Sequence, residues 1–250
     1  MPTETRSAKV TTEELAAKVR SGMVPLGSNF FYFLAITIAD EDLKQYLEDP
    51  IAALPPSLRS DLPVIHLVLV PYLGKANGRG KDLVEYEPPA EPRQIFSSRL
   101  PGRDATTLFF AVKDEEMADY HYSFYGALAA IVASKPKSAA FERFSHLVQE
   151  ELAAEVHGEV DEQSWHKKQA LLRRQVGKRS SKLVEEYTRQ AYEDTLTLYL
   201  HGICCDIDVE TGPRQMPSRH VRKRLELLTA LFPPPKGFAV LPENKRAGAQ

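Results

Sequence analysis

The sequences FFYFLAITIA (residues 30–39) and VIHLVLV (Val64–Val70) decide the fold class of this chain. Each is a nearly continuous run of apolar residues rich in aromatic and β-branched side chains, which is typical of a strand covered on both faces. The connection of about twenty residues between them is long enough for the crossover that parallel strands require. It begins with Asp40, Glu41 and Asp42, a favourable start for a helix. The two runs therefore predict a parallel βαβ unit.

The chain changes from strands to helices near residue 136. TTLFFAV (residues 106–112) predicts a third strand, and Asp114 begins a helix that extends to about Ser134. Beyond this point the apolar residues recur at helical spacing, with a kink expected near Gly158. The predicted helices are residues 139 to about 174, 181 to about 204, and 218–232. We therefore expect an α+β protein, with a small mixed sheet in its α/β N-terminal half and an all-helical C-terminal half.

The same patterns divide the chain into four segments. A capping-box sequence from Thr11 to Glu14 predicts a short helix close to the N-terminus. The polar residues at the other end predict a frayed tail. The expected organisation is an N-terminal helical appendage (1–24), an α/β domain (25–136), a helical domain (137–235) and a C-terminal tail (236–250).

The composition is that of a globular protein. Of the 250 residues, 43% are apolar and 26% are charged, which excludes a coiled-coil rod, a disordered tail and a membrane-spanning protein. With 32 Lys and Arg against 34 Asp and Glu, no overall charge directs the chain to nucleic acid or to an anionic membrane. The two cysteines are adjacent, so no disulfide framework indicates secretion. We expect a soluble cytoplasmic protein with no membrane partner.

The densest group of potential metal ligands lies at the end of the second predicted C-terminal helix. His201 and Cys205 are one helical turn apart, a spacing at which both can bind one divalent ion. Asp206 and Asp208 follow and could complete the site. This cluster suggests a metal-dependent hydrolase as an alternative function. The competing interpretation is a buried helix end in which the cysteines are small apolar residues, because no CxxC or HExxH motif is present.

Two other polar features interrupt the α/β half. The glycine-rich segment 74–81 follows a predicted strand, and Lys75 and Arg79 in it could bind an anion, although a surface loop is the favoured interpretation. His121 lies on the apolar stripe of a predicted helix, and His66 lies in the middle of VIHLVLV. We expect both histidines to be core residues that form hydrogen bonds.

Charge is strongly partitioned in the helical half. An acidic block covers residues 142–162, and basic segments follow at 167–182 and 214–224. Neutralisation within the chain is one explanation. The leading prediction is an interaction or assembly module that docks a partner protein through these charges, and the third prediction is a nucleic-acid binder that uses the basic segments. The candidate binding residues in these segments are Arg173, Arg174, Lys178, Arg179, Arg222 and Arg224.

Overall fold

The computed structural model describes residues 9–76, 80–89, 95–135, 138–173, 181–205 and 214–240. Within them the chain forms two compact units. The first contains residues up to Ile51 together with Leu62–Ala127, and the second contains Ala52–Asp61 and the residues from Leu128 onwards. The domain boundaries expected from the sequence stay predictions, since a compact unit need not coincide with a domain. The α+β class is confirmed, with mixed sheets in the N-terminal half and helices in the C-terminal half.

The elements follow the predicted change from strands to helices. The strands are β1 (Val10–Thr11), β2 (Val24–Gly27), β3 (Phe30–Leu34), β4 (Val64–Val70), β5 (Tyr72–Lys75), β6 (Asp82–Glu85), β7 (Ser97–Pro101) and β8 (Ala105–Ala111). The helices are α1 (Thr12–Val19), α2 (Asp40–Leu43), α3 (Asp49–Ala52), α4 (Pro56–Asp61), α5 (Met117–Ala133), α6 (Ala139–Ala153), α7 (Glu162–Arg173), α8 (Ser181–Cys204) and α9 (Ser218–Leu231). A π-helical turn, Lys44–Glu48, joins α2 to α3.

The main sheet has the order β2-β3-β4-β8-β7. Strands β3, β4 and β8 are parallel neighbours, while β2 and β7 are antiparallel at the two edges. The connection from β3 to β4 contains α2, α3 and α4, so the predicted βαβ unit is confirmed. A smaller antiparallel sheet has the order β1-β6-β5.

Both faces of the main sheet are covered, as the apolar runs predicted. On one face Val68 and Phe109 belong to a core cluster that includes Leu15 and Val19 of α1. On the other face Phe110 packs edge-on against Tyr120 of α5, with ring centroids 5.4 Å apart. The apolar stripe of α1 is part of this core because burying it removes apolar surface from water.

The structure also tests the predicted helix cap at Thr11 and the two histidines that were expected in the core. Thr11 caps α1, accepting a hydrogen bond from the backbone N–H of Glu14 while the Glu14 carboxylate accepts one from the backbone N–H of Thr11. His121 is buried, and its Nε2 lies 2.8 Å from the carbonyl oxygen of Gln45, which accepts a hydrogen bond from it. The prediction that His121 is a hydrogen-bonded core histidine is confirmed. His66 is only half-buried.

The helix predicted over residues 139 to about 174 is two helices, α6 and α7. Between them Glu155 and Gly158 both have positive φ, at 52° and 73°. A Cβ atom at position 158 would overlap the carbonyl of Gln215, which lies directly against the glycine. The helix therefore ends here and a new helix begins, where the sequence predicted only a kink in one helix.

Substitution of Gly158 by Ala is expected to destabilise the protein by about 3 kcal/mol or more, because the methyl group adds an overlap to the strain of a positive φ. Gly237→Ala is the matched control, since Gly237 also has a positive φ, 92°, but nothing lies within 4 Å of its Cβ position. That control should cost only about 1 kcal/mol. Urea denaturation measures both, and equal losses would contradict the close approach at Gly158.

Candidate functional site

Arg224 is the centre of a charged cluster buried inside the helical unit. The sequence predicted that Arg224 belongs to a partner-binding surface, but its side chain is 0% exposed. Its Nη2 donates to Glu151 Oε2 at 2.7 Å, and its Nη1 donates to Glu159 Oε2 at 2.8 Å. Arg224 therefore binds two carboxylates of its own chain, and that prediction is wrong.

Glu159 connects the two cations of this cluster. Its Oε1 accepts a hydrogen bond from Lys168 Nζ at 3.2 Å and another from the Tyr187 hydroxyl. Burial is the largest single influence and acts to raise the pKa of Glu159, but the charge and hydrogen bonds of Arg224, together with Lys168 and Tyr187, outweigh burial and hold this pKa below its ordinary value. The carboxylate is therefore ionised at neutral pH.

Lys168 completes the cluster from α7. Its Nζ also donates to the carbonyl oxygens of Val156 and Gly158, at 2.8 and 2.7 Å. The ammonium group thus has three acceptors for its three protons. Two cations, Arg224 and Lys168, face the carboxylates of Glu151 and Glu159, so the buried charges balance. We name these four residues the ionic centre.

Asp194 forms a second polar contact inside the unit. Its carboxylate accepts hydrogen bonds from the backbone N–H of Ser164, in the first turn of α7, and from the Gln190 side chain, at 3.0 and 2.8 Å. A residue of α8 therefore caps another helix. Burial raises the pKa of Asp194 to about 6, although these two donors act in the opposite direction.

The acidic block and one basic segment also pair at the surface. Lys223 lies 3.0 Å from Glu150, and Arg214 lies 3.0 Å from Glu162 while its guanidinium covers the Trp165 ring at 5.1 Å. Exposed pairs of this kind contribute little to stability. Together with the ionic centre, they show that neutralisation within the chain uses much of the partitioned charge.

A groove of about 320 Å³ runs between α6 and α9. Leu147 and Leu227 supply its apolar part, and we name it the α6–α9 groove. Its charged or titratable lining residues are Arg143, His146, Glu150 and Lys223. The Glu150 carboxylate is engaged by Lys223, whereas Arg143 forms no ion pair with any described residue.

The remaining predicted binding residues are dispersed. Arg222 is exposed on α9, next to Lys223 of the groove, and Arg173 is exposed at the end of α7. Lys75 is exposed at the end of β5 and pairs with Asp82 at 3.1 Å. Four further candidates lie outside the described residues: Arg79, Arg174, Lys178 and Arg179.

The predicted metal ligands are only partly described. His201 lies on α8, and the backbone N–H of Cys205 donates to its carbonyl at 2.8 Å, which preserves the predicted spacing of one helical turn. Asp206 and Asp208 lie outside the described residues. The metal site and the hydrolase built on it therefore stay predictions.

The sequence contains a signal for the ionic centre in the apolar stripes of two helices. Arg224 lies three residues after Val221 and four before Leu228, so it occupies the apolar stripe of α9. Glu151 lies at the same spacings from Val148 and Leu147 on α6. A charged residue on an apolar stripe predicts a buried charge with a partner, and here two stripes each carried one, of opposite sign.

Substitution of Glu159 by Gln is expected to destabilise the protein by about 3–5 kcal/mol, because it leaves the buried cations without a balancing charge. Glu150→Gln removes the same charge from the exposed pair with Lys223 and should cost less than about 1 kcal/mol. Chemical denaturation at pH 7 compares them. Similar losses of unfolding free energy in the two variants would show that water solvates the charges of the ionic centre.

The raised pKa of Asp194 predicts a pH dependence of stability. A carboxyl group whose pKa is higher in the folded state, here about 6, stabilises the fold only while protonated, so its contribution is lost as pH rises from about 4 to about 6. Relative to Asp194→Asn, the native protein should lose at most about 3 kcal/mol over this range. Urea denaturation at four pH values measures the difference, and parallel pH profiles would contradict it.

No protein-family model matches this chain, and neither a curated protein nor a solved structure does. Among the described residues, no helix combines the length and the apolar composition that a membrane crossing requires. The contacts and charges described above are therefore the basis for a functional proposal.

Proposed function

We propose that the helical unit is a docking module that binds an acidic, amphipathic helix of a partner protein in the α6–α9 groove. The observation that carries the proposal is the combination of an apolar strip, Leu147 and Leu227, with basic groups beside it. Binding an amphipathic helix requires a strip for its apolar face and charges of opposite sign at the margin.

The charges around the groove favour an acidic occupant. Arg143 has no carboxylate partner among the described residues, and the one carboxylate that lines the groove, Glu150, is neutralised by Lys223. On α9, Arg219 is exposed one helical turn before Lys223, and the adjacent Arg222 is also exposed, so both extend the basic margin. A partner with Glu or Asp beside its apolar residues would therefore be attracted, and a basic partner repelled.

The size of the groove sets the kind of binding. A cavity of about 320 Å³ accommodates one or two apolar side chains of a partner, not a folded domain. Such an interface is small, and its specificity comes mainly from charge. We therefore expect a transient complex whose affinity falls as ionic strength rises.

The nucleic-acid alternative depends on the same basic residues. Phosphate binding needs several cations that are not already neutralised. Lys223 and Arg214 of the basic segment 214–224 pair with glutamates, and Arg224 is buried. This pairing supports a peptide over a polyphosphate chain as the occupant.

A labelled synthetic peptide tests the proposal. The probe is a helical peptide of about fourteen residues, or four turns, with Leu on one face and Glu beside it. We expect micromolar binding by fluorescence anisotropy, at least about tenfold weaker for Arg143→Glu/Arg222→Glu. Lys167→Glu/Lys236→Glu makes the same change in net charge at exposed positions away from the groove and should bind as the native protein does. Leu227→Asp should also abolish binding.

Two outcomes would overturn the docking module. Equal binding of a peptide in which every Glu is replaced by Lys would show that charge does not select the occupant. Retention of duplex DNA with a steep salt dependence, lost in Arg143→Glu/Arg222→Glu, would replace the peptide with nucleic acid.

A further inference from the structure

A pocket on the main sheet of the first unit combines basic and hydroxyl groups. In the strand register His66 of β4 lies beside Phe31 of β3 and Thr107 of β8, so the three side chains project from the same face of the sheet. Helix α1 covers this face and brings Arg20, which directly follows it, to the same pocket. We name this cavity the His66 pocket.

The His66 pocket is open because its remaining lining residues are small. Ala16 and Ala17 of α1, Gly102 after β7 and Ala105 of β8 leave a volume of about 290 Å³. This is just below the usual range for small-molecule pockets, about 300–1,000 Å³. The cavity therefore has room for one small molecule that carries a compact polar group and a short organic part.

The electrostatics of the His66 pocket favour an anion. Arg20 has no carboxylate partner among the described residues, while Glu13, at the rim, lies 3.8 Å from Lys81. Burial and then the Arg20 charge hold the pKa of His66 below its ordinary value. Arg20 and His66, which repel each other when both are charged, thus line the same cavity. A bound anion would stabilise this arrangement.

We propose that the His66 pocket binds the phosphoryl group of a small organic phosphate. The Arg20 guanidinium supplies charge and a pair of N–H donors that match two phosphate oxygens. The His66 imidazole and the Thr107 hydroxyl each supply a further donor. Leu100 and Pro101 line the pocket and would contact the organic part of the ligand.

Binding of an anion whose own charge stays constant should strengthen as the pH falls, because the bound anion favours the protonated imidazole. The charged groups that face His66 are Arg20 and Glu13, both in the α1 region, while β3, β8 and β7 contribute Phe31, Thr107 and Leu100, which do not titrate near neutral pH. Glu13 would partly oppose the anion, but Lys81 offsets its charge.

Isothermal titration calorimetry of the whole chain tests the proposal with two probes, inorganic phosphate and phenyl phosphate. Tighter binding of phenyl phosphate is expected if the pocket takes an organic phosphate, and equal binding would overturn that identification and leave free phosphate as the ligand. Arg20→Gln should weaken binding by about tenfold or more, since a charge-assisted hydrogen bond is lost. Lys18→Gln makes the same charge change on α1 outside the His66 pocket and should have no effect.

Two further variants separate binding from folding. Thr107→Val keeps the shape of the side chain and removes only the hydroxyl, so weaker binding with an unchanged melting temperature would support a direct contact. His66→Gln should abolish the pH dependence of sulfate binding between pH 5.5 and 7.5, a range chosen because sulfate keeps its two charges there. The pKa of His66, measured from the pH dependence of its NMR chemical shift, should be higher when sulfate is bound.

The proposal is overturned if neither phosphate probe gives heat at millimolar concentration, or if Arg20→Gln binds as tightly as Lys18→Gln. It is also overturned if the His66 resonance titrates at the same pH with and without sulfate.

Discussion

A guanidinium group removed from water must be surrounded by acceptors, and the helical unit is arranged to meet this requirement at Arg224. Glu151 comes from α6, Glu159 from the turn before α7, and Thr195 Oγ1 of α8 lies 3.3 Å from Nη1. The cost of leaving this charge unpaired is far larger than the contribution of any single apolar contact. Every helix that supplies an acceptor is therefore held in register with α9.

The ionic centre also explains why the turn between α6 and α7 has its unusual backbone. Lys168 needs the carbonyls of Val156 and Gly158, and Glu159 must point inwards at the same time. A continuous helix would use those carbonyls for its own hydrogen bonds. The chain satisfies both demands by breaking the helix, with a glycine where the Gln215 carbonyl approaches most closely.

The sequence predicted the features that depend on neighbouring residues and missed those that depend on residues far apart along the chain. The strands and the βαβ unit were predicted because a run such as VIHLVLV is a local pattern. The break at Gly158 was underestimated because it depends on Gln215, far along the chain. Arg224 was misassigned because its partner Glu151 is 73 residues away along the chain, so their pairing follows only from the helix face that each residue occupies. The His66 pocket depends on strand register, which no single segment reveals.

The ionic centre has a consequence for the time at which the unit can fold. A chain made from its N-terminus places Glu151, Glu159 and Lys168 outside the ribosome before Arg224 has been synthesised. Until then the centre holds an excess negative charge that cannot be buried at low cost. Helices α6 to α8 therefore cannot enclose the ionic centre at low cost until α9 has been synthesised.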